Sequence, residues 1–141
     1  MDSLITADGR VRVWRTFQDV SPDALYSYWT EPAKLTQWWP NEATLDAVPE
    51  GAYRYVFSGG TLAGSFSEAE EGRRLAFSWR WEHEPGTPEQ QVVVDFERRD
   101  DDTLLTVTQG PYGRGAEAEE RGRQLESWQY LLKRLNTVCQ P

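Results

Sequence analysis

The side chains best equipped for chemistry are few, and they do not converge along the chain. The one histidine, His83, sits beside Glu84, Pro85 and Gly86. That composition reads as a solvated loop rather than a general base beside a nucleophile. The one cysteine, Cys139, lies two residues from the last position with no base near it in sequence, and reads as a small packing residue. A single histidine and a single cysteine leave no His- or Cys-built metal centre and no internal disulfide. Asp100-Asp101-Asp102 lacks the spaced ligands and the glycine of a calcium loop and reads as a turn. Asp95 alternates with Val94 and Phe96, so it points away from their face. Gly59-Gly60 and Gly113-Arg114-Gly115 lack the strand-to-helix setting of a phosphate loop. No catalytic residue, metal ligand or cofactor is expected from these positions.

What remains is a set of large rings and two polar side chains. Trp38, Trp39, Phe57, Phe66, Phe77, Trp79, Trp81 and Trp128 either line a ligand cavity or fill the core. Trp79 and Trp81, two residues apart on one strand, are the hardest to bury completely. Arg15 falls on the inner face of an alternating strand, where it serves a structural ion pair or binds a ligand carboxylate. Gln109 shares an otherwise apolar face with Leu105 and Val107, where it orients a ligand or caps a backbone group. The chemistry this set suits is the binding of a small hydrophobic or aromatic molecule.

The elements that must position these residues are legible from periodicity. Residues 116–138 form the only stretch with a long helical repeat: Ala118, Gly122, Leu125, Trp128, Leu132, Leu135 and Cys139 recur at steps of three and four. At 1.5 Å per residue such a helix is roughly 33 Å long. Its stripe is small at the start and large at the end. Gly122 therefore marks either close packing or space left above a sheet. Residues 10–17 alternate as a strand; Ser21-Pro22 caps a short helix, and Pro32 opens another that runs to Trp39. Alternating strands follow at 43–48, 52–58, 61–70, 73–82, 90–98 and 103–109, separated by turn residues. Gly64, inside one of them, marks a bulge or a close backbone approach. Consecutive strands with short turns pair antiparallel and need a cover, and the terminal helix is the one element large enough. The expected class is α+β: a curved antiparallel sheet of six to seven strands around a long C-terminal helix, with two short helices after strand 1.

Composition sets the outer limits. The 141 residues read as a single domain, 1–141. Hydrophobic content is 38% but aromatics reach 13%, with seven Trp, so the core must be built from large rings. A net charge of −8 and a pI near 4.7 disfavour nucleic acid and anionic membranes as partners. With no apolar leader at residues 1–10 and no stretch long enough to span a bilayer, the expected location is the cytoplasm.

These elements resemble a known family. Arg15-Thr16-Phe17, then Leu25, then Trp29-Thr30-Glu31-Pro32 through Trp38-Trp39-Pro40 are similar to the opening of heat-shock-protein-90 ATPase-activator-like domains, of the START-like (SRPBCC) helix-grip superfamily. Gly51, Gly64, Leu75-Ala76-Phe77-Ser78-Trp79, Thr103-Leu104-Leu105 and Ser127-Trp128 follow the same pattern, which extends over residues 10–137. The chain departs from it at Ser127, where the family tends to have Gly, at Gln109, where many members have His, and at Asp102, where a Gly is usual. The resemblance implies the helix-grip fold. It also implies one of three activities. The first is binding of a small hydrophobic ligand between helix and sheet, without catalysis. The second is association with a chaperone without a small ligand. The third is a polyketide cyclase or aromatase activity, for which no inward His or acidic pair is found. The oligomeric state implied is monomer or homodimer.

Overall fold

The computed structural model describes residues 2–140. The chain runs β1 (Asp2–Ile5), β2 (Val11–Phe17), α1 (Pro22–Thr30), α2 (Pro32–Leu35), β3 (Glu42–Leu45), β4 (Ala52–Phe57), β5 (Gly60–Glu70), β6 (Arg74–Trp81), β7 (Gln90–Arg99), β8 (Asp102–Gly110) and α3 (Ala116–Cys139). The strands form one curved sheet in the order β1-β2-β8-β7-β6-β5-β4-β3, and every neighbouring pair is antiparallel. The α+β helix-grip class expected from the sequence is the one observed.

The sheet has eight strands, not six to seven. The added strand is β1, which pairs Asp2–Ile5 with Trp14–Val11. Leu4 and Ile5 are adjacent rather than alternating, and both stay about two-fifths exposed, at 40% and 41%. The strand is held by backbone bonds at an edge, and such bonds leave no period-two pattern. The two short helices accordingly follow β2.

Local sequence accounts for the rest. Ser21 Oγ accepts from the Ala24 amide at 3.1 Å, and Pro22 stands at the first helical position of α1. The helix buries Leu25, Tyr26 and Trp29. The second helix ends at Leu35, earlier than Trp39, because the chain turns to bring Trp38 and Trp39 under α3. That turn is tied from both sides. Trp38 Nε1 donates to the Tyr28 carbonyl at 2.9 Å, and Arg134 Nε donates to the Trp38 carbonyl at 3.0 Å. In β5 the register shifts between Phe66 and Glu68. Upstream of it, a Cβ on Gly64 would lie 2.2 Å from Ser78 Oγ on β6, so the bulge and the close approach both occur.

Helix α3 buries Trp128, Leu131, Leu132 and Leu135 against the inner face of the sheet. Its first half differs from the expected stripe. Gly122 is exposed, and a Cβ there would meet no atom within 4 Å. No strand packs on it, because the side of α3 turned to the sheet carries Glu117, Glu120 and Gln124 while Gly122 faces solvent. No helix among the described residues is long and apolar enough to cross a membrane.

Candidate functional site

The alternation of β4 and β6 places Tyr53, Tyr55 and Phe57, and Phe77, Trp79 and Trp81, on the inner face beneath α3. The turn after α2 adds Trp38 and Trp39 from the side. These rings pack mostly on one another. Trp39 lies 5.6 Å from Trp38, 5.4 Å from Tyr55, 6.0 Å from Trp79 and 5.3 Å from Trp128, centroid to centroid. Trp29 lies 4.8 Å from Trp38 and 5.9 Å from Trp128. Trp38 and Trp128 are fully buried, and Phe66 and Phe77, paired at 5.9 Å, are buried with them. Under the C-terminal half of α3 these rings pack into one continuous cluster.

The packing opens along the first and middle turns of α3. A recess of about 270 Å³ is walled by Trp39, Phe57, Trp79 and Trp81 on one side and by Gln124, Ser127, Tyr130 and Leu131 of α3 on the other. A second, of about 210 Å³, lies beside it under Ala116, Glu117 and Glu120, with Gln90 and Tyr112 on its wall. Trp79 and Trp81 belong to both. Trp39, Phe57 and Trp81 stay only half-buried, so these are the rings that reach the opening.

Gln109 lies just behind this opening and is fully buried. Its Oε1 accepts from Trp128 Nε1 at 2.7 Å, and its Nε2 donates to Gln90 Oε1 at 2.9 Å. Gln90 Nε2 in turn donates to the Pro111 carbonyl at 3.4 Å. Gln109 thus joins helix, sheet and linker, and its carboxamide oxygen is already engaged by Trp128. Ser78 and Thr103 are also committed, whereas the buried indole Nε1 of Trp29 has no hydrogen-bond partner among the described residues. Ser78 Oγ accepts from the Ser65 amide, and Thr103 Oγ1 donates to the Val20 carbonyl at 2.6 Å.

Arg15 faces inward as alternation predicts, but it lies away from the recesses. It pairs with Leu105, and its charge is felt by Cys139 at the far end of α3. Its Nε is buried without a hydrogen-bond partner, and its guanidinium carbon stands 5.9 Å from the Phe17 ring centroid. It makes no ion pair among the described residues. The structure therefore brings Trp39, Phe57, Trp79 and Trp81 together at one opening. Trp128 and Gln109 support it from behind, Trp38, Phe66 and Phe77 belong to the packed interior, and Arg15 is remote.

Sequence reasoning did not single out Gln90, Tyr112, Tyr130 or Leu131. Tyr112 carried one usable signal, an aromatic ring inside a Gly- and Pro-rich linker. Gln90 carried none, since its role depends on facing Gln109 across β7 and β8. Burial raises the Tyr112 phenol above its ordinary value, so it stays neutral. Burial also pushes the Cys139 thiol up to about 11, which leaves it protonated and unreactive. His83 is exposed beside the Trp81 ring, 5.8 Å away, and Asp95 is held by Arg74 at 2.9 Å.

Residues 19–140 match the model of the "Activator of Hsp90 ATPase homolog 1-like protein" family. The chain belongs to that family. It is similar to an uncharacterised protein of Schizosaccharomyces pombe, C1711.08, with 24% identity over 85% of the chain. The chain spans about a third of that relative's length, 34%. Among solved structures it resembles CalU16 from Micromonospora echinospora, with a TM-score of 0.76, 21% identity, and coverage of 99% of this chain and 83% of that one. It also resembles PFC0360w, an HSP90 activator from Plasmodium falciparum, with a TM-score of 0.75, 21% identity, and coverage of 93% and 96%. At these identities the likeness is one of fold.

Proposed function

We propose that this family member binds a small hydrophobic or aromatic molecule at the opening between the first and middle turns of α3 and strands β4 and β6, and does so without catalytic turnover. One observation carries the reading: Trp39, Phe57 and Trp81 are only partly buried, and they wall the larger of two adjoining recesses of about 270 and 210 Å³. Half-buried rings around a concave apolar wall suit a ligand of one or two rings. The packed Trp29-Trp38-Trp128 interior supports a site at the opening rather than deep in the grip. The buried polar groups Gln109, Ser78 and Thr103 are all hydrogen-bonded, and none titrates near neutral pH, which supports binding over acid–base chemistry. The domain would act as one unit over residues 1–141, in the cytoplasm, as a monomer or homodimer.

The test is a titration with N-phenyl-1-naphthylamine, followed by probe and indole fluorescence. Saturable binding that weakens in Trp81→Ala and in Gln124→Trp, which fills the larger recess, supports the site. Absence of saturable binding, or binding indifferent to both variants, overturns it. A second reading is association with a chaperone. It is favoured by the family's description and by Tyr130, which is 62% exposed at the rim of the larger recess, beside Lys133, Arg134 and Val138. Stimulation of an Hsp90 ATPase that is lost in Tyr130→Ala would support that reading, and no stimulation would count against it.

A further inference from the structure

The two recesses differ in chemistry. The larger one is apolar throughout except for Gln124 and Ser127. The smaller one combines the Trp79, Trp81 and Tyr112 rings with the carboxylates of Glu84, Glu117 and Glu120. One cation, Arg80, also lines it, but its Nε donates to the Thr87 carbonyl at 3.1 Å and its Nη1 lies 4.0 Å from Glu89, so it is committed to the 83–89 loop. Glu120 is also paired with Arg123, one turn on along α3, at 2.8 Å. The Glu117 carboxylate folds back over Gly113, beside Tyr112: a Cβ on Gly113 would lie 2.3 Å from Glu117 Oε2. The phenol of Tyr112 stays neutral through burial and keeps its ring as an uncharged wall.

An apolar concavity with electron-rich ring faces and carboxylates at its edge discriminates by charge. Indole faces attract a cation through their quadrupole, and nearby carboxylates reinforce this, while an anionic ligand of the same shape is repelled. A chain carrying a net charge of −8 adds to this bias at long range. We propose that the ligand of this opening is an organic cation, an ammonium group carried on an apolar or aromatic body. The body rests on Phe57, Trp39 and Trp81 in the larger recess, and the ammonium lies in the smaller one between Trp81, Tyr112 and Glu117. This inference rests on the binding reading above and adds the charge of the ligand to it.

The experiment compares three probes with one body: 4-phenylbutyltrimethylammonium, 4-phenylbutanol and 4-phenylbutyrate. Binding is read from the indole N–H resonance of Trp81 at low salt. The ammonium is expected to bind about fivefold or more tighter than the alcohol, and the carboxylate weakest. Glu117→Gln/Glu120→Gln should lower ammonium affinity about fivefold and leave the alcohol unchanged, and 0.5 M NaCl should act in the same direction. Equal affinity for ammonium and alcohol, or an ammonium affinity indifferent to the double variant, overturns the cation assignment. If N-phenyl-1-naphthylamine still binds while the ammonium does not, only the cation assignment falls. If neither binds, the binding reading falls with it.

Discussion

The indole N–H of Trp128 donates to the side-chain oxygen of Gln109 at 2.7 Å, and both residues are completely buried. This bond ties the midpoint of α3 to the end of β8. Replacing Gln109 by Leu would leave a buried indole N–H without an acceptor and release Gln90, at a cost of about 1–3 kcal/mol. Trp128→Phe would orphan the Gln109 oxygen and add a cavity. The double variant should lose less than the sum of the two, because the lost bond is counted once. Gln109→His retains an acceptor and should lose less than Gln109→Leu. Urea unfolding of the four variants measures all of these, and strict additivity would refute the coupling.

Two glycines should respond to the same substitution with opposite sign. Gly122 lies inside α3, exposed, with open space where a Cβ would stand. Gly122→Ala should raise stability by about 0.5–1 kcal/mol by removing the glycine penalty in a helix. Gly64→Ala would place a Cβ 2.2 Å from Ser78 Oγ and 2.9 Å from Tyr53 Cε2, between two paired strands. It should lower stability by about 1–3 kcal/mol through overpacking. Thermal melts of the two variants check both signs at once.

Stability should fall steeply in alkali. Burial raises the phenols of Tyr53, Tyr55 and Tyr112 above their ordinary value of 10.0. Each raised group keeps its proton in the folded state while the unfolded chain loses it, so the folded state binds more protons and stability declines as pH rises. The contribution is whole below pH 10 and erodes above it, by up to about 1.4 kcal/mol per pH unit for each tyrosine. Denaturation midpoints measured from pH 8 to 11 should be level first and then drop. Tyr55→Phe should make the drop shallower.

The Cys139 thiol is pushed up to about 11 from 9.0, chiefly by burial. Its thiolate should be about a hundredfold scarcer at pH 8 than in the unfolded chain. Reaction with a disulfide reagent should therefore be slow in buffer and fast in concentrated urea. Equal rates in the two conditions would show that the end of α3 is frayed.

Much of the frame was legible in the residues. Seven of the strands announce themselves by alternation, and the Ser21-Pro22 and Pro32 signals place α1 and α2. The β1 strand was not legible, since an edge held by backbone bonds needs no apolar alternation. Gly122 was misplaced because a stripe of small residues looks the same whether it faces a sheet or solvent. Gln109 was recognised as the odd polar residue on its face, but its partners Trp128 and Gln90 come from α3 and β7, and no spacing encodes which side chains meet across elements.

The sequence by itself determined the class of this protein: period-two strands, one long amphipathic helix and an aromatic-rich core can be satisfied together only by a curved sheet closed over that helix. Only the tertiary structure decided which rings fill the interior and which reach the opening. The fully buried rings Trp38 and Trp128 sit where α3 is tied down, by Arg134 on the Trp38 carbonyl and by the Trp128–Gln109 bond, and both ties join residues far apart in the chain.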